Sequence, residues 1–345
     1  MRNIFFIAVF LGLISTSLWS EEKVEFPAVI TVPKGLPPIP LPADNPYTPE
    51  KAELGRLLYF DKRLSSNETV SCASCHDPRL TYGDRKKVSI GIFGHAGTRH
   101  APTVINSAYS KFQFWDGRAN SLEEQCLGPL GNPKEMTSEH NADKALKDCH
   151  ERVCAIDGYR KLFKKAFGND DCNLNQIAQA IATFERTILS GNSPYDKYMA
   201  GDKTAMTKEQ VHGMEVYIKS SCAFCHTWPT FDSNMFTNIG VGMDQPDPDL
   251  GRYMITKEEK DWGAFKVPTL RESALSYPYM HDGSLGTLEE VIDFYDKGGV
   301  PNKNLHPQIR PLKLSESDKK ALVAFLHALS GEGWEHYKAP TQFPE

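Results

Sequence analysis

The pentapeptide Cys-x-x-Cys-His occurs twice in this chain of 345 residues, as Cys72–His76 and as Cys222–His226. The spacing brings two thiols and an imidazole together within about one turn of chain. That arrangement suits covalent attachment of a haem through its vinyl groups, with the adjacent histidine on the iron. On this reading Cys72, Cys75 and His76 hold one haem and Cys222, Cys225 and His226 a second, so two covalently bound haem c groups are expected, with His76 and His226 as iron ligands. A thioredoxin-like dithiol expects a βαβ context that the chain lacks, and a zinc site expects a second matched Cys or His pair.

A longer repetition frames the two motifs. Sliding the chain by 166 positions lays Pro102-Thr103 on Pro268-Thr269, Ser107-Ala108 on Ser273-Ala274, Asp116-Gly117 on Asp282-Gly283 and Leu122-Glu123-Glu124 on Leu288-Glu289-Glu290. The pentapeptides are offset by only 150, so the second half carries 16 more residues between its pentapeptide and its Pro-Thr motif. Such self-similarity points to two copies of one haem-binding unit. The expected division is 21–200 and 201–338, with Gly191–Pro194 and the following Met199–Met206 region as the junction.

Local patterns predict a mainly α fold with long irregular loops, since a haem takes much of the place of a packed core. Ser121–Glu124 and Thr287–Glu290 have the form of helix-opening capping boxes. Ile177, Ile181, Phe184 and Ile188 recur at helical spacing, as do Leu322, Phe325, Leu326 and Leu329 before Gly331. Strand-like alternation is scarce.

Met1-Arg2-Asn3, the apolar run Ile4–Ile14 and the small and polar residues to Ser20 read as a secretory signal over 1–20, cleaved between Ser17 and Glu21. A periplasmic protein, free of the membrane after cleavage, is expected; the alternative is an uncleaved anchor, for which the run is short. A net charge of −5 gives no reason to expect a nucleic-acid partner. Four cysteines lie between the pentapeptides, Cys126, Cys149, Cys154 and Cys172; they permit two disulfides in three connectivities, or buried free thiols.

The two halves differ at the sixth position of each iron. The 166 offset sets Pro129 opposite Tyr295, and a phenol can ligate iron whereas a proline cannot. One iron is then open to a small molecule and the other closed. Against this, Tyr295 also extends the apolar face Leu288, Val291, Ile292 of its helix.

Phe114-Trp-Asp-Gly-Arg118, Asn132-Pro-Lys-Glu-Met136, Phe265-Lys-Val-Pro-Thr-Leu-Arg271 and Tyr279-Met-His-Asp-Gly283, taken with both pentapeptides, resemble the bacterial dihaem cytochrome c peroxidase family, which includes MauG. The likeness runs from about Thr48 to Gly331. It implies two cytochrome c-like haem domains, a peroxide site at the first haem and an electron-transfer haem in the second. The implied reaction is reduction of hydrogen peroxide by a small donor protein of the cytochrome c or cupredoxin type.

By position, Gln125, Pro129 and Glu135 resemble the distal pocket of the peroxide site, with Glu135 moving the proton, and Trp115 resembles the tryptophan between the haems. His95 resembles a histidine that ligates the first iron in the oxidised state of some members. Tyr295 stands where MauG has its tyrosine ligand and other members a methionine, with Met280 as the other candidate. The family's interdomain calcium would use an asparagine at the position of His100 and carbonyls at Ser276 and Pro278. Imidazole is a poor ligand for a hard cation, so calcium stays open. A homodimer is compatible with the resemblance. Ser220 occupies the position of MauG's surface tryptophan, which weighs against oxidation of a partner protein. That activity and a plain dihaem electron carrier are the two alternatives.

Overall fold

The computed structural model describes residues 24–345; the expected signal segment 1–20 lies outside the described residues. Twelve α-helices are present among them. The first six are α1 (Pro49–Phe60), α2 (Cys72–Cys75), α3 (Leu122–Leu130), α4 (Ala142–Cys154), α5 (Asp157–Phe167) and α6 (Leu174–Glu185). The others are α7 (Pro194–Met199), α8 (Lys208–Lys219), α9 (Cys222–Cys225), α10 (Tyr253–Thr256), α11 (Leu288–Asp296) and α12 (Glu316–His327). Two-residue strands β1 (Phe236–Thr237) and β2 (Phe265–Lys266) pair antiparallel. The fold is mainly helical with long loops, as the sequence predicts. No helix of the described residues is long and apolar enough to cross a membrane.

The helix starts follow from side-chain capping. Thr287 accepts from the Glu290 amide, and Glu290 accepts back from the amides of Thr287 and Gly286, closing a capping box on α11. At α3 Ser121 accepts from the Glu124 amide, but the Glu124 carboxylate reaches one residue further, to the Asn120 amide. Helix α6 stops at Glu185, so Ile188, read as its last apolar position, lies in the turn beyond and is still buried.

Two helix crossings position the pentapeptides, and both are set by a glycine. A β-carbon on Gly55 of α1 would lie 1.9 Å from the Ala180 carbonyl oxygen of α6; on Gly213 of α8 it would lie 1.9 Å from that of Ala321 in α12. Only hydrogen fits there. One turn on, Tyr59 donates to the His76 carbonyl and Tyr217 to that of His226. Thr103 Oγ1 donates to the Thr81 carbonyl and Thr269 Oγ1 to that of Thr230. Asn106 and Glu272, both left-handed (φ 61° and 60°), accept from the amides of Ser190 and Gly331. The two units are thus built on one plan of contacts.

Glu272 has no exposed surface; its Oε1 accepts from Gly331 and Ser190, while Oε2 has no partner among the described residues. Burial pushes this carboxyl up to about 7. Unfolded, it titrates near about 4.3. Between those values the folded protein keeps a proton that the unfolded chain has lost, so stability is full below the unfolded pKa and declines as pH rises through the folded one. The decline is on the order of 3 kcal/mol. Glu272→Gln should flatten it, read as urea midpoints at about pH 5 and about pH 8; a variant with the wild-type slope would show that the slope arises elsewhere.

The units are laced together at both ends. Although it precedes residue 201, α7 packs Tyr195 against Phe231 and Phe325 of the second core. Its Asp196 forms a doubly hydrogen-bonded pair with Arg271, both oxygens at 2.8 Å, with side chains 2 % and 0 % exposed. The C-terminal tail returns to the first unit: Tyr337 stacks on Phe26 and meets Phe184 edge-on, and Arg56 donates to the Lys338 carbonyl. Among the four intervening cysteines one disulfide forms, Cys154–Cys172, in place of the two the count permits. Cys126 and Cys149 are buried free thiols on α3 and α4.

Candidate functional site

Each pentapeptide forms a single helical turn whose cysteines, three apart, share one face. His76 leaves α2 with Nδ1 3.2 Å from the Tyr82 carbonyl oxygen, and His226 leaves α9 with Nδ1 3.0 Å from that of Pro268 and 3.2 Å from that of Phe231. A carbonyl on Nδ1 fixes the tautomer and leaves Nε2 as the ligating nitrogen. Burial pushes both imidazoles down, favouring the neutral form that binds metal. Two thiols with an oriented imidazole, repeated in each unit, fit a haem.

At the second pentapeptide a cavity of about 300 Å³ is bordered by Cys222, Cys225, His226, Tyr295 and Met280, and by Trp115 from the first unit. Leu288, Val291 and Ile292 line it as well, so the apolar face of α11 and Tyr295 point to the same space. The structure thus brings His226 together with both candidates for its iron's other side. Burial pushes the Tyr295 phenol up, the result expected for a phenol enclosed without a cation.

Around the first pentapeptide, Gln125 and Pro129 lie four residues apart on α3 and share a face. The Gln125 amide makes no side-chain hydrogen bond to the described residues, whereas Glu135, in the loop after α3, accepts from Asn132 Nδ2 at 2.6 Å. Burial pushes the Glu135 carboxyl above its ordinary range, with Asn132 and Arg118 pulling the other way. Glu135 is close enough to Cys75 to contribute to the rise of that thiol. A carboxyl raised by burial in this way can give up and take back a proton nearer neutral pH than an exposed one.

His95 is exposed, its Nδ1 3.3 Å from the Pro133 carbonyl oxygen. Its loop seats the Ile92 amide on the Glu135 carbonyl, which ties the His95 loop to the loop that carries Glu135. At the position of the family's calcium asparagine, His100 is buried with its Nδ1 on the Lys86 carbonyl. Among the described residues no group of three or more His, Cys, Asp or Glu side chains is placed to hold a metal ion.

Trp115 stands at the seam between the units. Its Nε1 donates to the His100 carbonyl at 2.8 Å, and its own carbonyl accepts from the Lys266 amide at 2.7 Å. Its neighbour Asp116 binds Arg99, which grips both oxygens of Asp249, and Arg252 donates to the carbonyls of Asp116 and Gly117. Asp249 and Arg252 lie in the longer stretch between the second pentapeptide and its Pro-Thr motif. Sequence reasoning missed this clamp; the 16-residue difference between the halves was its one signal.

A family model described as di-haem cytochrome c peroxidase matches residues 49–204. The chain is 37 % identical over 295 residues to the cytochrome c551 peroxidase of Nitrosomonas europaea, covering 85 % of this chain and 84 % of that protein. It is 38 % identical over 296 residues to the methylamine utilization protein MauG of Methylorubrum extorquens, covering 85 % and 82 %. A crystal structure of a MauG-like protein associated with microbial copper homeostasis superposes with a TM-score of 0.82 at 33 % identity, covering 90 % of this chain and 99 % of that one. With its paired pentapeptides, its helical units and these relatives, the chain belongs to the di-haem cytochrome c peroxidase family.

Proposed function

We propose that this protein is a periplasmic di-haem peroxidase that reduces hydrogen peroxide to two waters, taking two electrons from a small redox protein of the cytochrome c or cupredoxin type and two protons from solvent. Cys72, Cys75 and His76 would hold the catalytic haem covalently and Cys222, Cys225 and His226 the second, whose iron Tyr295 would also bind. The two units, 21–200 and 201–338, are read as products of an internal duplication. Bound haem supplies the redox-active iron at which the peroxide O–O bond is reduced.

The chain's own residues do the rest. Glu135 takes a proton from one peroxide oxygen and returns it to the departing one, a role suited to a carboxyl whose burial holds it above its ordinary range. The free amide of Gln125 orients the peroxide. Trp115, clamped by hydrogen bonds at the seam, offers a polarisable path between the units. His95 is a further candidate ligand of the first iron in the oxidised state.

The observation that carries this reading is the asymmetry between the units: a half-buried acid, raised above its ordinary range, near the first pentapeptide, and a phenol facing the second. Oxidised and half-reduced protein mixed with peroxide should show one high-spin iron that responds, and donor-dependent turnover. Two low-spin irons inert to peroxide would instead indicate an electron carrier. A second reading, peroxide-driven oxidation of residues in a partner protein, is favoured by Trp228, two residues after His226 and 62 % exposed.

A further inference from the structure

Lys266, on β2, carries its ammonium to the border of the second unit's cavity. Its Nζ donates to Ser110 Oγ at 3.1 Å, and no carboxylate of the described residues lies within 4.0 Å of it. The carboxylate that acts on it, Asp232, does so only at longer range. Burial pushes the ammonium down, as expected for a cation taken out of water without a counter-ion. Such a charge is unfavourable unless an anion joins it. Asp232, Arg310, Gln308, Gln113, Asn106 and His281 are among the other polar side chains bordering the cavity.

A haem fixed through its vinyl groups at Cys222 and Cys225 still has two carboxylates to place. We infer that Lys266, with Ser110, binds a propionate carboxylate of the second haem at the seam between the units. The inference rests on the second-haem reading above. It gives one residue two roles at the seam: its amide holds the Trp115 carbonyl while its ammonium holds the haem edge. Ser110 and Trp115 belong to the first unit, so the second haem would be gripped by both. An ammonium on a propionate also favours the reduced haem, because the ferric state carries one more positive charge.

The test uses the mature di-haem protein and the variants Lys266→Met and Lys266→Arg. Resonance Raman spectra report the propionate bending band, and spectroelectrochemistry reports the midpoint of each haem. Lys266→Met should shift the second haem's propionate band and lower its reduction equilibrium up to tenfold, about 59 mV for a one-electron couple. The first haem should be unchanged, and Lys266→Arg should keep both properties. Lys266→Gln serves in place of the methionine variant should that fail to mature. Two intact haems with an unaltered band and midpoint overturn the inference; a wild-type protein carrying a single haem overturns the second-haem reading, and the inference with it.

Discussion

Glu135→Gln should lower peroxide turnover about 10²- to 10⁴-fold, the usual contribution of a positioned general acid/base, while leaving the absorption spectra of both haems unchanged. The substitution keeps the size of the side chain and an oxygen that can still accept from Asn132 Nδ2. What it removes is the proton that must pass between the peroxide oxygens. The burial that pushes Glu135 up makes the acid form available closer to neutral pH than an exposed glutamate would allow. Steady-state kinetics with a reduced donor, read beside the spectra of the oxidised protein, decide the matter. Wild-type turnover in the variant would assign the proton to another group, and altered spectra would mean that Glu135 supports the haem pocket and not the reaction.

Arg271→Met should destabilise the protein by about 3–5 kcal/mol, the cost of leaving one partner of a buried ion pair alone. Burial by itself would raise Asp196, but the Arg271 guanidinium outweighs it and holds the carboxyl below its ordinary range. Without the arginine a carboxylate remains in a site with almost no solvent contact. Arg271 also donates to the carbonyls of Pro229 and Gly35, so the variant frees the strap at Gly35 and α7 together. Urea titration gives the loss directly. Adding Asp196→Leu should recover part of it, since an apolar pair avoids the stranded charge; no recovery would mean that the two carbonyl contacts, rather than the ion pair, hold the joint.

Much of the architecture was legible before any coordinates. The hydroxyls of Ser121 and Thr287 announced α3 and α11, and the apolar spacings announced α6 and α12, because capping and helical periodicity involve residues three or four apart. The likeness of the units was legible for the same reason: Thr103 and Thr269, and Asn106 and Glu272, keep their offset and make matching contacts. Pairing among the four intervening cysteines was not legible, since three connectivities satisfy the same count. Nor was the place of α7, whose Tyr195 and Asp196 find their partners between 36 and 130 residues further along.

The sequence by itself determined that this chain carries two Cys-x-x-Cys-His pentapeptides, that its halves follow one pattern, and that a proline in one stands where the other has Tyr295. These are matters of spacing and residue type, which local chemistry reads without knowing the fold. Tertiary structure decided that burial raises Glu135, how Arg99 and Asp249 hold the Trp115 segment, and that Lys266 borders the cavity with no carboxylate of the described residues in ion-pair range. Burial and charge compensation depend on groups brought together from distant parts of the chain, and no short-range pattern encodes them.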